Sequence, residues 1–396
     1  MLDAIRKQIA RIREEPVTQR ELDKVKNQLL ASEVRGSLTV ESKALRLGEL
    51  QTMEGDANLA NQRLEKIRRV TADDLLRVAR TYLVPERETQ VIVKPELGSV
   101  IMSFLGIKGS EGDEGAAPVP RPESNRVAKR AAPRADLQRP PQFPPEPPAS
   151  PLLETYARPA VDDSKLENGL RVVIVPNHEV PFTTLLLGIR SGAWTEDKPG
   201  VADLAAQMIT QGSEHHTAAE LAEELESSGI SLRGSAGMDS ATASASCVSD
   251  KFEPAARLLA EVVRTPKFPE SELEILRQQT LLGLMVEART PEYVAERELR
   301  RRLFGRHPYA RTSTGEPQDV RAVTTEDLRR WWSGLVRPDA CVLFIAGDVR
   351  KEPVLVAAKN YFGKWKAGGE SPASFVEAIP EPEAICIYVV DCPGLV

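Results

Sequence analysis

An α+β fold, with a mainly antiparallel sheet and helices on one of its faces, is predicted from three observations. Segments of alternating polarity interleave with segments of helical periodicity, Gly and Pro turns separate them, and one such unit occurs twice in the 396 residues. Repetition over some 250 residues means homologous domains of this fold in tandem rather than a short-repeat solenoid.

Residues 1–30 are predicted as two helices. Leu2, Ile5 and Ile9 form a stripe, Pro16 breaks it, and Thr18 caps the second helix with Glu21 at the capping-box position. Residues 41–68 read as helical, interrupted at Gly55–Asp56. VTADDLLRVARTYLVPERETQVIVKP then supplies a capped helix, a stop at Pro85 and a strand through Val91–Val93. That unit returns without gaps as VTTEDLRRWWSGLVRPDACVLFIA from Val323, and RELDKVKNQLL from Arg20 resembles SELEILRQQTL from Ser271 at nearly the same offset. The first copy holds only the second half of the unit, so its leading strands and first helix would precede Met1.

Residues 107–152 hold 11 of the 30 prolines, with Gly-Ser-Glu-Gly-Asp-Glu-Gly leading and PPQFPPEPP trailing. This composition forms no core and predicts a semi-extended linker, with a reach on the order of 100 Å.

The complete domain follows over 161–350. LENGLRVVIVPN is a strand–turn–strand with Asn168-Gly169 as the hairpin signal, and FTTLLLGIRSGAW is a further strand. Pro199 to Val248 reads as turn, helix, Gly turn, second helix, Gly turn and one alternating strand. Val201, Leu204, Ala205 and Met208 recur at i, i+3, i+4 and i+7, the spacing of one buried face. Thr217 caps the second helix with Glu220, and Gly229 stops it. Leu258, Leu259, Val262 and Val263 give a core-facing helix, ELEILRQQTLLGLMVEA a long one and RELRRRLFG another. HPYARTSTGEP is a loop, VTTEDLRRWWSGLV the last capped helix of the domain and ACVLFIAGD its closing strand. Of Trp331 and Trp332, one is expected in the core and the other over an inter-domain surface. GDVRKEPVLVAAKNYFGKWK adds one more helix, and AICIYVVDCPGLV reads as the opening of a further domain. The expected division is 1–106, 107–152, 153–370 and 371–396, and the chain is expected to be a segment of a longer protein.

The formal net charge of −6 argues against a nucleic-acid footprint. No run of 18 apolar residues spans a membrane, and MLDAIRKQIARIREE is amphipathic and charged, without the apolar core of a signal peptide. Cys247, Cys341, Cys386 and Cys392 lack C-x-x-C spacing and are expected as buried free thiols. No G-x-S-x-G elbow or phosphate-binding loop is present.

At Gly200, Val201, Ala202, Met208, Gly212, Leu225, Glu226, Gly229 and Asp239 the chain resembles the insulinase/pitrilysin family of inverted zinc peptidases, including mitochondrial-processing-peptidase-like members. In that family H-x-x-E-H puts two zinc-binding His on one helix face, and the Glu between them takes the proton of the metal-bound water. The resemblance places Asp203, Ala206 and Gln207 at those positions. It places Gly283, six residues past Arg277, where the family has its third ligand. One lone carboxylate and one neutral amide cannot hold zinc in a site that needs three protein ligands. No catalytic or metal-binding residue is therefore expected in this chain.

The resemblance implies repeated domains of the mitochondrial-processing-peptidase-like metallohydrolase type, closing in two halves around an unfolded peptide. Zinc is expected only in a catalytic peptidase half, in the same longer chain or a partner subunit. This chain would supply wall and peptide contacts, with Asp203, Gln207 and Asp239 facing the peptide. His307, Tyr309 and Arg311 match the family's structural loop. Relatives with such linkers imply a bacterial periplasm or envelope. Two other readings are a purely structural assembly subunit, and an active metallopeptidase with its site moved to Glu214, His215 and His216. That last segment reads more simply as an exposed turn, because Gly212 and Ser213 break the helix the motif needs.

Overall fold

The computed structural model describes residues 2–91, 159–366 and 385–391. The chain divides into two compact units, one of residues 1–82 with 159–396 and one of residues 83–158. In the second, the described residues carry one 3-10 turn at Pro85–Arg87. The linker expected at 107–152 lies outside the described residues. So do positions 92–93 of the strand expected at Val91–Val93, and Val91 itself is not in a strand. Of the further domain expected from 371, only 385–391 is described; it has no regular structure, and Ile385 and Ile387 are exposed.

The first unit is built on six strands: β1 (Asp162–Lys165), β2 (Arg171–Pro176), β3 (Phe182–Ile189), β4 (Ser231–Ala236), β5 (Ala241–Val248) and β6 (Cys341–Gly347). Their order in the sheet is β1-β2-β6-β3-β5-β4, and β2–β6 is the one parallel pair among them. The expected α+β fold is thus present. The stretch read as a single alternating strand is instead the β4–β5 hairpin, turning at Gly237–Ser240. Asp239 consequently sits in a turn, not on a strand.

Among the described residues, five helices precede the sheet: α1 (Leu2–Glu14), α2 (Gln19–Arg35), α3 (Val40–Met53), α4 (Leu59–Arg69) and α5 (Ala72–Tyr82). Eight of the described helices lie within or after it: α6 (Val201–Met208), α7 (Ala218–Ser228), α8 (Phe252–Arg264), α9 (Glu270–Glu287), α10 (Pro291–Phe304), α11 (Pro317–Ala322), α12 (Thr325–Leu335) and α13 (Lys351–Phe362). One sheet face is the core. Leu185, Leu187 and Ile189 of β3 are buried, whereas Thr184 on the same strand is exposed. On β5 the inward residues are Ala241, Ala243, Ala245 and Cys247, all fully buried, and their small side chains let α6 and α8 pack close. Leu258, Leu259, Val262 and Val263 are buried as their spacing requires.

Three expectations need correction. Trp331 and Trp332 are both buried, because α12 is flanked on both sides. Trp331 Nε1 donates to Thr195 Oγ1 at 3.2 Å, and Trp332 Nε1 donates to the Val263 carbonyl at 2.8 Å. Cys247 and Cys341 are buried free thiols, pushed up to about 12 by desolvation, but Cys386 is exposed. Cys392 lies outside the described residues. The helix read from RELRRRLFG, which starts at Arg297, begins earlier, at Pro291, where proline suits the first helical turn.

The α7 cap forms as read: Thr217 Oγ1 accepts from the Glu220 N–H at 3.3 Å, and Glu220 Oε2 accepts from the Thr217 N–H at 2.9 Å. Thr217→Ala should therefore cost about 1 kcal/mol of stability, read as a lowered urea midpoint at unchanged slope.

The internal repeat has a structural counterpart. Thr71 and Asp74 cap α5 reciprocally, at 3.1 and 3.2 Å, as Thr324 and Asp327 cap α12, at 2.9 and 3.3 Å. Lys26 of α2 donates to the Arg68 carbonyl at 2.9 Å, just ahead of α5. Arg277, its counterpart on α9, donates to the carbonyls of Val320 and Val323, just ahead of α12. A second stripe of α2 packs on α7. Lys24 Nζ lies 2.6 Å from both Glu223 and Glu226, and Asn27 Nδ2 donates to the Ser227 carbonyl at 2.7 Å.

Candidate functional site

The site builds outward from α6. Gly200 precedes the helix with φ +90, and a Cβ there would lie 2.6 Å from the Thr314 carbonyl oxygen, so only glycine fits. Every α6 residue is buried except Asp203 and Gln207, which are half-buried one turn apart. Gln207 Nε2 donates to Asp203 Oδ2 at 3.0 Å, and Thr314 hydrogen-bonds the same carboxyl. Burial raises the Asp203 carboxyl above its ordinary range, against the pull of those two hydrogen bonds. Ala206 is fully buried, and Gly283 lies exposed on α9.

The zinc that the resemblance implies does not fit these residues. The positions offer one carboxylate already held by two chain partners, one amide, one methyl and one hydrogen. Among the described residues, no three His, Cys, Asp or Glu side chains are grouped to hold a metal ion.

Sequence reasoning missed Glu196. Its carboxylate accepts from the Gly200 N–H at 3.1 Å and the Ala202 N–H at 2.8 Å, closing the N-terminus of α6. Burial pushes this carboxyl up to about 7, opposed by those amides and by Arg311 3.6 Å away. An acid four residues ahead of a helix-starting glycine was the available signal.

The loop matched to His307, Tyr309 and Arg311 braces the same region. His307 Nδ1 accepts from the Tyr309 N–H at 3.2 Å, and the two rings meet edge to face at 4.8 Å. Tyr309 donates its hydroxyl to Asp239, whose carbonyl accepts from Trp194 Nε1 at 3.3 Å. Arg311 donates to the carbonyls of Ala193 and Glu196 at 2.8 and 3.3 Å. The loop thus ties the β4–β5 turn to the start of α6.

The segment around Glu214, His215 and His216 is only partly the exposed turn expected. Glu214 and His215 are exposed, but Ser213 is buried, and His216 places Nδ1 2.7 Å from Glu261 and Nε2 3.0 Å from Glu224. Arg257 pairs with both carboxylates. Burial works against the charge on Glu261, but its hydrogen bonds to His216 and Ser213 leave that carboxyl below its ordinary range. Both His216 nitrogens are occupied within the chain, which leaves neither for a metal.

This fold defines a peptidase-type domain, in which α6 presents Asp203 and Gln207 as its half-buried polar pair. Residues 171–316 match the family model described as Insulinase (Peptidase family M16), and residues 322–391 match Peptidase M16 inactive domain. The chain belongs to the insulinase family. It is 25% identical over 191 residues to a non-peptidase homolog, YmxG, of Helicobacter pylori, covering 48% of this chain and 44% of that one. It is 28% identical over 218 residues to a probable mitochondrial-processing peptidase subunit beta of Arabidopsis thaliana, covering 54% and 41%. Among solved structures, a peptidase M16 inactive domain from Pseudomonas fluorescens superposes with a TM-score of 0.53 at 29% identity, covering 57% of this chain and 55% of that one. The chain spans about half the length of the curated relatives it matches.

Proposed function

We propose that this chain is the non-catalytic part of an insulinase-type zinc peptidase, forming chamber wall and peptide-binding surface beside a zinc-bearing half. The observation that carries the reading is the Asp203–Gln207 hydrogen bond on α6, where the family's metal-binding face would lie. Zinc belongs, on this reading, to the catalytic half alone, and Asp203, Gln207 and Asp239 line the side facing an unfolded peptide. The domain division belongs to the same proposal: residues 1–106 end a preceding domain and 153–370 form a complete one. The matched carbonyl contacts of Lys26 and Arg277 support it.

Metal analysis of the purified chain, with hydrolysis of an unstructured peptide assayed alongside, tests the reading. Zinc well below one equivalent and no hydrolysis by the chain alone are expected. Stoichiometric zinc together with hydrolysis abolished by Asp203→Ala or Gln207→Ala would end it.

A further inference from the structure

The carboxyl end of α8, the loop from it to α9, the second half of α12 and the residues after α13 enclose a cleft of about 330 Å³. That volume lies within the range of small-molecule sites. Its floor is aromatic. Phe268, Trp332 and Trp365 line it, each largely buried, and the Phe268 and Trp332 rings meet edge to face at 6.1 Å. Phe268 has φ +52, and among the described residues it is the one non-glycine residue with a positive φ. A bulky side chain rarely adopts that backbone, and such strain concentrates at ligand sites. Here the ring lies against Trp332 while the Phe268 carbonyl accepts from Arg329 Nη2 at 3.3 Å.

The charge on the rim has one sign. Among the described residues, Arg264, Arg329 and Lys366 are the charged side chains lining the cleft, and no carboxylate lines it. Arg264 Nη1 donates to the Tyr361 carbonyl at 2.8 Å, and Arg329 Nη2 also donates to the Lys267 carbonyl at 3.2 Å. These neutral partners orient the two guanidinium groups without cancelling their charge. None of the three cations pairs with a carboxylate among the described residues, whereas Arg257, earlier on α8, pairs with Glu224 and Glu261. In a chain of net charge −6, that is a local excess of positive charge. The carbonyls at the end of α8 that would repel an anion are already taken. Val263 accepts from Trp332 Nε1 at 2.8 Å, and Thr265 accepts from the Glu214 N–H at 3.0 Å.

We propose that this cleft binds a small aromatic carboxylate, with its ring over the edges of Trp332 and Trp365 and its carboxylate between Arg264, Arg329 and Lys366. Apolar walls beneath a cationic rim match a ligand whose two ends differ in the same way. Guanidinium forks suit a planar carboxylate, which they grip through two parallel hydrogen bonds. None of these residues belongs to the α6 site, so the inference goes beyond the peptidase reading and is independent of where zinc is bound.

The test titrates the full chain with phenylacetate, and separately with neutral phenylacetamide, following the indole N–H signals of the four tryptophans by heteronuclear NMR. Saturable shifts of the Trp332 and Trp365 signals are expected, with Trp194 unmoved and phenylacetate bound about tenfold more tightly than the amide. Lys366→Glu alters an exposed side chain and leaves the core untouched. It should remove most of that advantage while the affinity for the amide stays as it was. Ser333→Trp, on the exposed rim, should block both compounds. Equal affinity for acid and amide, shifts confined to Trp194 or Trp331, or an advantage that persists in Lys366→Glu overturns the proposal, as does the absence of any saturable shift.

Discussion

Gly234→Ala should destabilise the chain by about 4 kcal/mol or more, a loss beyond the usual range of overpacking. A Cβ at Gly234 would lie 2.0 Å from the Ala206 carbonyl oxygen and 2.8 Å from Ile209 Cδ1. A backbone carbonyl in α6 has no rotamer to escape into, so β4 and α6 must separate. Gly237 is the internal control: a Cβ there meets nothing nearer than the Ser240 carbonyl oxygen at 3.9 Å. Gly237→Ala should stay within about 0.5 kcal/mol. Urea titration of both variants decides the matter, and equal midpoints would mean that α6 does not press on β4.

Glu196 should make stability fall as pH rises. An unfolded chain releases this proton near 4.5, whereas the folded chain holds it up to about 7. Between those values the folded state binds more protons, so the slope of unfolding free energy against pH is negative. Integrated over the window it amounts to about 3 kcal/mol, fully present below the unfolded value and lost as pH rises through the folded one. Glu196→Gln removes the titrating group and should flatten that part of the profile. At low pH the variant should also be the weaker protein, since an amide offers one acceptor where two N–H groups of α6 need partners. Urea midpoints measured from about pH 4 to 8 check this, and parallel profiles for the two proteins would contradict it.

Much of the fold was legible because its signals are local. The buried face of α6, the Thr217–Glu220 cap, the Asn168-Gly169 turn and the repeated capped helix each depend on residues a few positions apart. The β4–β5 hairpin was not legible, because small alternating residues run through both strands and the turn at 237–240 interrupts them only briefly. Period-two alternation reports a strand's two faces but not where the chain reverses. The tryptophan pair failed for a related reason: adjacent helix positions point about 100° apart, and burial of both required neighbours on two sides of α12.

The site divides in the same way. That α6 carries Asp203, Ala206 and Gln207, and that their chemistry cannot grip zinc, follows from residue identity alone. That Asp203 is held by Gln207 and Thr314, that Glu196 is buried against the start of α6, and that His216 is enclosed by Glu224 and Glu261 came only with the tertiary structure. Donor chemistry is a property of each side chain, whereas desolvation and hydrogen-bond partnership are set by segments brought together from far along the chain, such as Arg311 against Glu196.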